Sequence, residues 1–248
     1  TGHGRIAALH PDDPWERTAR DLVAAWDGRY AADSGGAAVV MCVRDGVVRL
    51  LARDPRLAGL DRPFPGEPPG AFVPATLRLW PVASALLAAD DRSHFAEGET
   101  WDDALASGLA FAAATLRERL GDDPSAWRWG DLHVSAPGHP LAGLDPVAGP
   151  RLNPPPVGIG GEWDTVFASA HAAGIGFGVT GASVARYAFD LADRRTSRWI
   201  VPCGASGDPD SPHFADQRAD WAAGEMVPIR TGTDLEATAT ARTALTPY

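Results

Sequence analysis

The chain has 248 residues, 45% of them hydrophobic and 22% charged, with a net charge of −10. That is the composition of a globular protein with room for a sizeable core. Its acidic balance argues against nucleic acid or an anionic membrane as a partner, since both require clustered Lys and Arg. All 22 basic residues are Arg, which removes Schiff-base and Ser-Lys chemistry.

Two cysteines, Cys42 and Cys203, make no metal motif and read as small, buried side chains. No apolar run approaches the ~20 residues of a membrane span. The opening TGHGRIAALH has neither a signal-peptide h-region nor an initiating Met. A processed or excised piece of a longer protein is therefore expected.

In chain order, Asp12, Asp13 and Pro14 supply a helix start, and Trp15, Ala19, Leu22, Val23 and Trp26 follow as one buried helical stripe. Turn chemistry in WDGRYAADSGG ends it. The apolar stretch 36–52 fits helix or strand on pattern alone, and Gly46 weakens the helical alternative. Residues 63–74, rich in Pro and Gly, read as loop. A helix is expected over 76–89, and another after Thr100, where Asp103 completes a capping-box pattern and Gly121 supplies the stop. WRWGDLHV at 127–134 alternates large and polar residues as a strand does. Short strands are expected at 164–168, 176–179, 185–191 and 198–201, and a last helix at 214–223. The tail 231–248 has little periodicity and is expected to be poorly ordered. Helices first and strands later give an α+β chain.

The most informative stretch is GASGDPDSPHFADQRADWAAGE at 204–225, which joins Ser211, His213, Asp216 and Gln217 in one turn-to-helix unit. It is preceded in order by WDGR at 26–29, WRWGDLH at 127–133 with His139-Pro140, GGEWDTV at 160–166 and GASVARYAFDLAD at 181–193. Together these resemble the penicillin acylase family, N-terminal-nucleophile amidohydrolases, over residues 5 to about 228. Two departures stand out. Glu162-Trp163 replaces the family's glycine-aspartate run, and Gly204-Ala205-Ser206-Gly207 replaces its Gly-Gln-Ser-Gly.

The resemblance implies an αββα sandwich with a helical first half and a strand-rich second half, and, since a long helix follows WDG in the family, it favours helix over the stretch 36–52. Residues 1–125 would form a helical segment flanking the cleft, and 126–230 the late strands and closing helix of the core. It also implies hydrolysis of a linear amide by an N-terminal Ser whose own α-amine, titrating near ~8, is the base. In the family that Ser and the oxyanion-hole Asn lie upstream of the segments matched here. The expected partners are thus a nucleophile-bearing chain and an α chain from the same precursor, plus a small N-acylated substrate. No cofactor or metal is expected on this chain, because the calcium of some members is held upstream. A secreted or periplasmic location is favoured over a cytoplasmic one. A catalytically inactive scaffolding relative is the alternative.

Arg5 resembles a family arginine that supports the nucleophile's surroundings and is the candidate site residue here. Thr1 as a nucleophile is disfavoured, since GHGRI does not resemble the strand that follows such a residue. Ser211, His213, Asp216 and Gln217 read as a structural signature rather than a relay, because the turn gives each a local hydrogen-bonding role. His133 and His139 lack a third ligand at metal spacing and read as hydrogen-bonded structural residues.

Overall fold

A computed structural model describes residues 2–60, 74–147, 149–239 and 244, so the expected loop at 63–74 lies almost wholly outside the described residues. The chain divides into two compact units, Thr1–Pro137 with Pro156–Ala182, and Gly138–Pro155 with Ser183–Tyr248.

The first unit is built on helices. After the short α1 (Gly2–Ala7), α2 (Pro14–Ala24) begins where Asp13 accepts the amides of Trp15 and Glu16 with Pro14 in the first turn. The apolar 36–52 stretch resolves as α3 (Gly35–Leu51), capped by Ser34, whose hydroxyl accepts the Ala37 amide. α4 (Ala75–Ala88) follows, then α5 (Trp101–Leu120), where Thr100 and Asp103 form the reciprocal capping box and Gly121, at φ 91°, ends the helix.

The core lies where α3 crosses α5 and buries Val39, Met41, Val43, Val47, Leu105, Leu109 and Leu116. Gly46 has a packing reason at that crossing. A Cβ there would stand 3.1 Å from the Gly108 Cα, and one on Gly108 would stand 2.9 Å from the Val43 carbonyl. The helix-weakening glycine is thus what lets the two backbones meet. Cys42 sits in this core as a free thiol whose pKa burial pushes up, and Cys203 is free and half-buried.

Two antiparallel strand pairs complete the unit, β1 (Val134–Ser135) on β2 (Val157–Gly158) and β3 (Ser169–His171) on β4 (Val179–Ala182). The expected strand at 127–134 is largely helical: Trp129–Leu132 forms α6, with only Val134 entering β1. Non-local bonds override the alternating pattern. The Trp129 amide donates to the Ser34 carbonyl (3.1 Å) and the Gly130 amide to that of Ala32 (2.7 Å). Trp129 and His133, one helical turn apart, stack at 4.5 Å. Residues 164–168 also depart from expectation. The Thr165 hydroxyl bonds the Glu162 and Phe167 carbonyls, closing a turn, and the strand starts at Ser169.

The second unit carries one antiparallel sheet in the order β5 (Arg186–Ala188), β6 (Arg198–Ile200), β7 (Val227–Pro228). α7 (Arg218–Ala223) lies between β6 and β7 in sequence and begins four residues later than expected, because 211–217 is spent in turns. α8 (Gly232–Thr238) occupies part of the tail expected to be disordered, while 240–243 and 245–248 lie outside the described residues. Helices dominate the first half and strands the second, so the chain is α+β. Among the described residues the strands form two two-stranded sheets and one three-stranded sheet, not one continuous layer.

Candidate functional site

A cavity of about 310 Å³ opens between α1, α3, α4 and α5. Its floor is aliphatic (Val40, Val43, Val47, Leu87, Leu105), and its rim carries His3, Trp26, Tyr30, Ser84 and Arg44. WDGR builds part of this rim. The Trp26 indole donates to the Arg29 carbonyl (2.8 Å) and Asp27 accepts the Arg29 amide (2.9 Å). Gly28 takes the left-handed φ of 83° that the turn requires. Trp26 then meets Tyr30 edge-on at 5.1 Å and His3 at 5.9 Å. Burial raises the Tyr30 hydroxyl pKa, helped by the neighbouring Glu162 charge.

Behind the cavity lies a buried ionic cluster. Arg44 reaches from α3 to Glu162 (2.9 Å) and to the Trp80 carbonyl (2.9 Å), with its guanidinium 4.0 Å from the Trp80 ring centroid. The same Glu162 oxygen accepts the Trp80 indole N–H (2.8 Å), and its other oxygen accepts the Asp164 amide (2.8 Å). Only 3% of the Glu162 side chain is exposed. Next along α3, buried Asp45 accepts the Gly174 amide (2.6 Å) and the Arg49 guanidinium (2.7 Å). Sequence reading registered Glu162 as a departure from the family pattern and missed its role. The available signal was Arg44-Asp45, a charged pair set between apolar runs of the α3 helix, which demands buried counter-charges.

Two histidines adjoin this cluster. His133 Nδ1 lies 2.7 Å from the Phe177 carbonyl and Nε2 lies 2.9 Å from the Ser169 hydroxyl. His171 packs edge-on to Trp80 at 4.8 Å. Burial pulls each imidazole from 6.5 down to about 4, so both are neutral at neutral pH. The Ser169–His133 contact has the spacing of a nucleophile and its base, but both residues are sealed from solvent and Ser169 also bonds the Gly160 carbonyl (2.9 Å). It holds the α6–β3 junction.

In the second unit, Ser211, His213, Asp216 and Gln217 lie together in the loop before α7. Asp216 accepts from His213 Nδ1 (2.8 Å), while the Ser211 hydroxyl accepts the His213 backbone amide (3.2 Å). The Gln217 amide donates to the Cys203 carbonyl (2.9 Å), and the Gln217 side chain accepts the Val201 amide (3.3 Å). A Cβ on Gly204 would collide with the His213 carbonyl and stand 2.6 Å from an Asp216 oxygen, so the signature glycine is required by close backbone approach. Arg218 ties the loop down through the Pro155 and Pro202 carbonyls. The bonds made by Ser211 and His213 anchor a turn and do not form a Ser-His-Asp relay.

Arg5 lies on α1, with its guanidinium on Asp102 (2.7 Å) and Asp90 (3.4 Å). Thr1 lies outside the described residues. In the exposed loop of the second unit, His139 Nδ1 accepts the Leu141 amide (3.1 Å). Among the described residues no three His, Cys, Asp or Glu side chains are grouped to hold a metal ion, and no helix is long and apolar enough to cross a membrane.

The profile of the family described as penicillin amidase matches residues 4–236, and the chain belongs to that family. It is 36% identical over 211 residues to the penicillin acylase 2 proenzyme of a Pseudomonas species, covering 85% of this chain and 26% of that protein. The acyl-homoserine lactone acylase QuiP of Pseudomonas aeruginosa is 31% identical over 237 residues, with 85% and 26% covered. The QuiP of Pseudomonas putida is 30% identical over 227 residues, with the same shares. The chain thus spans about a quarter of the length of these relatives, in line with the 26% matched.

Proposed function

We propose that this chain is the part of a penicillin-acylase-like amidohydrolase that does not bear the nucleophile. It works by completing the fold around an N-terminal Ser carried by another segment of the same precursor. The reaction is removal of an acyl group from an amine, with a β-lactam nucleus or an acyl-homoserine lactone among the candidate substrates that its relatives' names suggest. In this reading the strands contribute to an αββα sandwich, the helices flank its cleft, and Arg5 positions α1 through its carboxylate partners.

One observation carries the reading. The family match runs from residue 4 to 236 yet covers only about a quarter of the length of relatives such as the penicillin acylase 2 proenzyme, and among the described residues the Ser169 hydroxyl at His133 is sealed while the Ser211 hydroxyl bonds the His213 backbone amide. In this reading the attacking hydroxyl, its free-amine base and the oxyanion donors come from the rest of the precursor. What this chain offers the substrate is the aliphatic cavity beside Tyr30 and the buried cluster that stiffens its wall.

Co-expression with the upstream part of the precursor tests this. Release of the amine from a chromogenic acyl anilide is expected from the combined chains and not from residues 1–248 alone. Turnover by the isolated chain contradicts the proposal. A combined enzyme that binds but never turns over favours the scaffolding alternative.

A further inference from the structure

The cavity bounded by α1, α3, α4 and α5 lies wholly within the first unit, and its polar and apolar linings are separated. Val40, Val43 and Val47 recur on one face of α3, so they make an apolar strip about 10 Å long. Buried Ala83 of α4 and Leu105 of α5 also line it. The volume of about 310 Å³ is roughly twice that of an apolar cavity that takes up benzene, or about ten water volumes.

Nothing on this floor can hold a charge. Arg44, the charged side chain of the lining, is engaged by Glu162 (2.9 Å) and the Trp80 carbonyl (2.9 Å), and its Nε is out of the reach of solvent. Both lining indoles are spent as well, the Trp26 N–H on the Arg29 carbonyl (2.8 Å) and the Trp101 N–H on the Asp91 carbonyl (2.9 Å). The Tyr30 and Ser84 hydroxyls and the His3 ring stay on the rim. A carboxylate carried to the floor would lose its water and meet no donor in exchange. We propose that this cavity is the acyl subsite, and that it selects an unbranched, uncharged aliphatic acyl group of about eight carbons with its amide end at the rim; this rests on the function proposed above. An extended chain follows the valine strip along its length, whereas a single aromatic ring leaves part of the strip without contacts.

Each methylene buried changes affinity roughly fourfold. In the complete protein, kcat/KM for the octanoyl nitroanilide is expected to exceed that for the butyryl one on the order of 100-fold, with the glutaryl and phenylacetyl nitroanilides below octanoyl. Ala83→Leu, which puts about three more carbons into the cavity, is expected to cut the octanoyl-to-butyryl ratio about 60-fold. Val47→Ala, which removes about two, is expected to move the optimum to roughly ten carbons. The ratio cancels any loss of folded protein, and misfolding cannot lengthen the optimum. Calorimetric titration of octanamide into the same protein reads the cavity apart from turnover. Turnover with a flat chain-length profile, with glutaryl or phenylacetyl ahead of octanoyl, or with a ratio unmoved by both variants overturns the acyl subsite and leaves the proposed function standing. Octanamide binding that Ala83→Leu weakens, without turnover of any nitroanilide, overturns the proposed function and leaves the aliphatic site. Absence of both binding and turnover overturns both.

Discussion

Glu162→Ala is expected to cost about 3 kcal/mol or more of stability, in the range found when one partner of a buried ion pair is removed. Three bonds are lost together. Arg44 loses its carboxylate, the Trp80 indole N–H loses its acceptor, and the Asp164 amide loses the bond that starts the 162–167 turn. The Arg44 side chain is 18% exposed, so its charge is then poorly hydrated; the Trp80 carbonyl and ring and the mostly exposed Asp164 carboxylate, 4.0 Å away, compensate only in part. Urea unfolding is the measurement, and the midpoint is expected to fall on the order of 1 M. A loss smaller than 1 kcal/mol would contradict the burial and pairing described here. Replacing both charges, Glu162→Leu with Arg44→Met, should recover only the part owed to the stranded guanidinium, because the Trp80 indole N–H and the Asp164 amide still lack their acceptor.

The second large effect is acid lability well above the carboxylate range. His133 and His171 are held neutral by burial, with folded pKa values of about 4 against 6.5 when unfolded. Asp45 and Arg44 act on His171 in opposite directions, Glu162 favours the His133 charge, and the His171 neighbour disfavours it. Between those pH values the unfolded chain binds more protons than the folded one, so stability rises with pH. The contribution is complete above pH 6.5, is lost progressively as pH falls to about 4, and is flat below that. A depression of this size corresponds to about 3 kcal/mol per imidazole. Unfolding midpoints between pH 7.5 and 4.5 report it directly. His171→Phe, which keeps an aromatic ring against Trp80, should remove roughly half of the pH dependence. A stability profile flat across that interval, or a slope unchanged in the variant, would show that these imidazoles are not buried and neutral.

Local chemistry explains which parts of the chain were legible. The start of α2 at Asp13-Pro14, the Thr100–Asp103 box and the Gly121 stop depend on residues within one turn of each other, so spacing alone reveals them. Trp127 to Val134 was misread because its alternation satisfies a strand, whereas the bonds that decide it come from Ser34 and Ala32, far away in sequence. Glu162 was illegible for the same reason: its partners Arg44 and Trp80 are 118 and 82 residues distant. The 204–225 signature could be located by eye, but only coordinates give the reason for Gly204, the approach of the His213 carbonyl. Exposure of the Tyr187 and Phe189 rings was equally hidden, since Ala185 to Leu191 reads the same whether its aromatic side faces a core or solvent.

The claim beneath the whole account is that the reacting hydroxyl is not among these 248 residues. Covalent labelling of the complete, active protein with a sulfonyl fluoride, followed by peptide mapping, addresses it most directly. The account predicts one modified residue, the first residue of a separate chain, with loss of activity in step with labelling and no adduct between residues 1 and 248. A stoichiometric adduct on Thr1, Ser169 or Ser211 that tracks inactivation would contradict it.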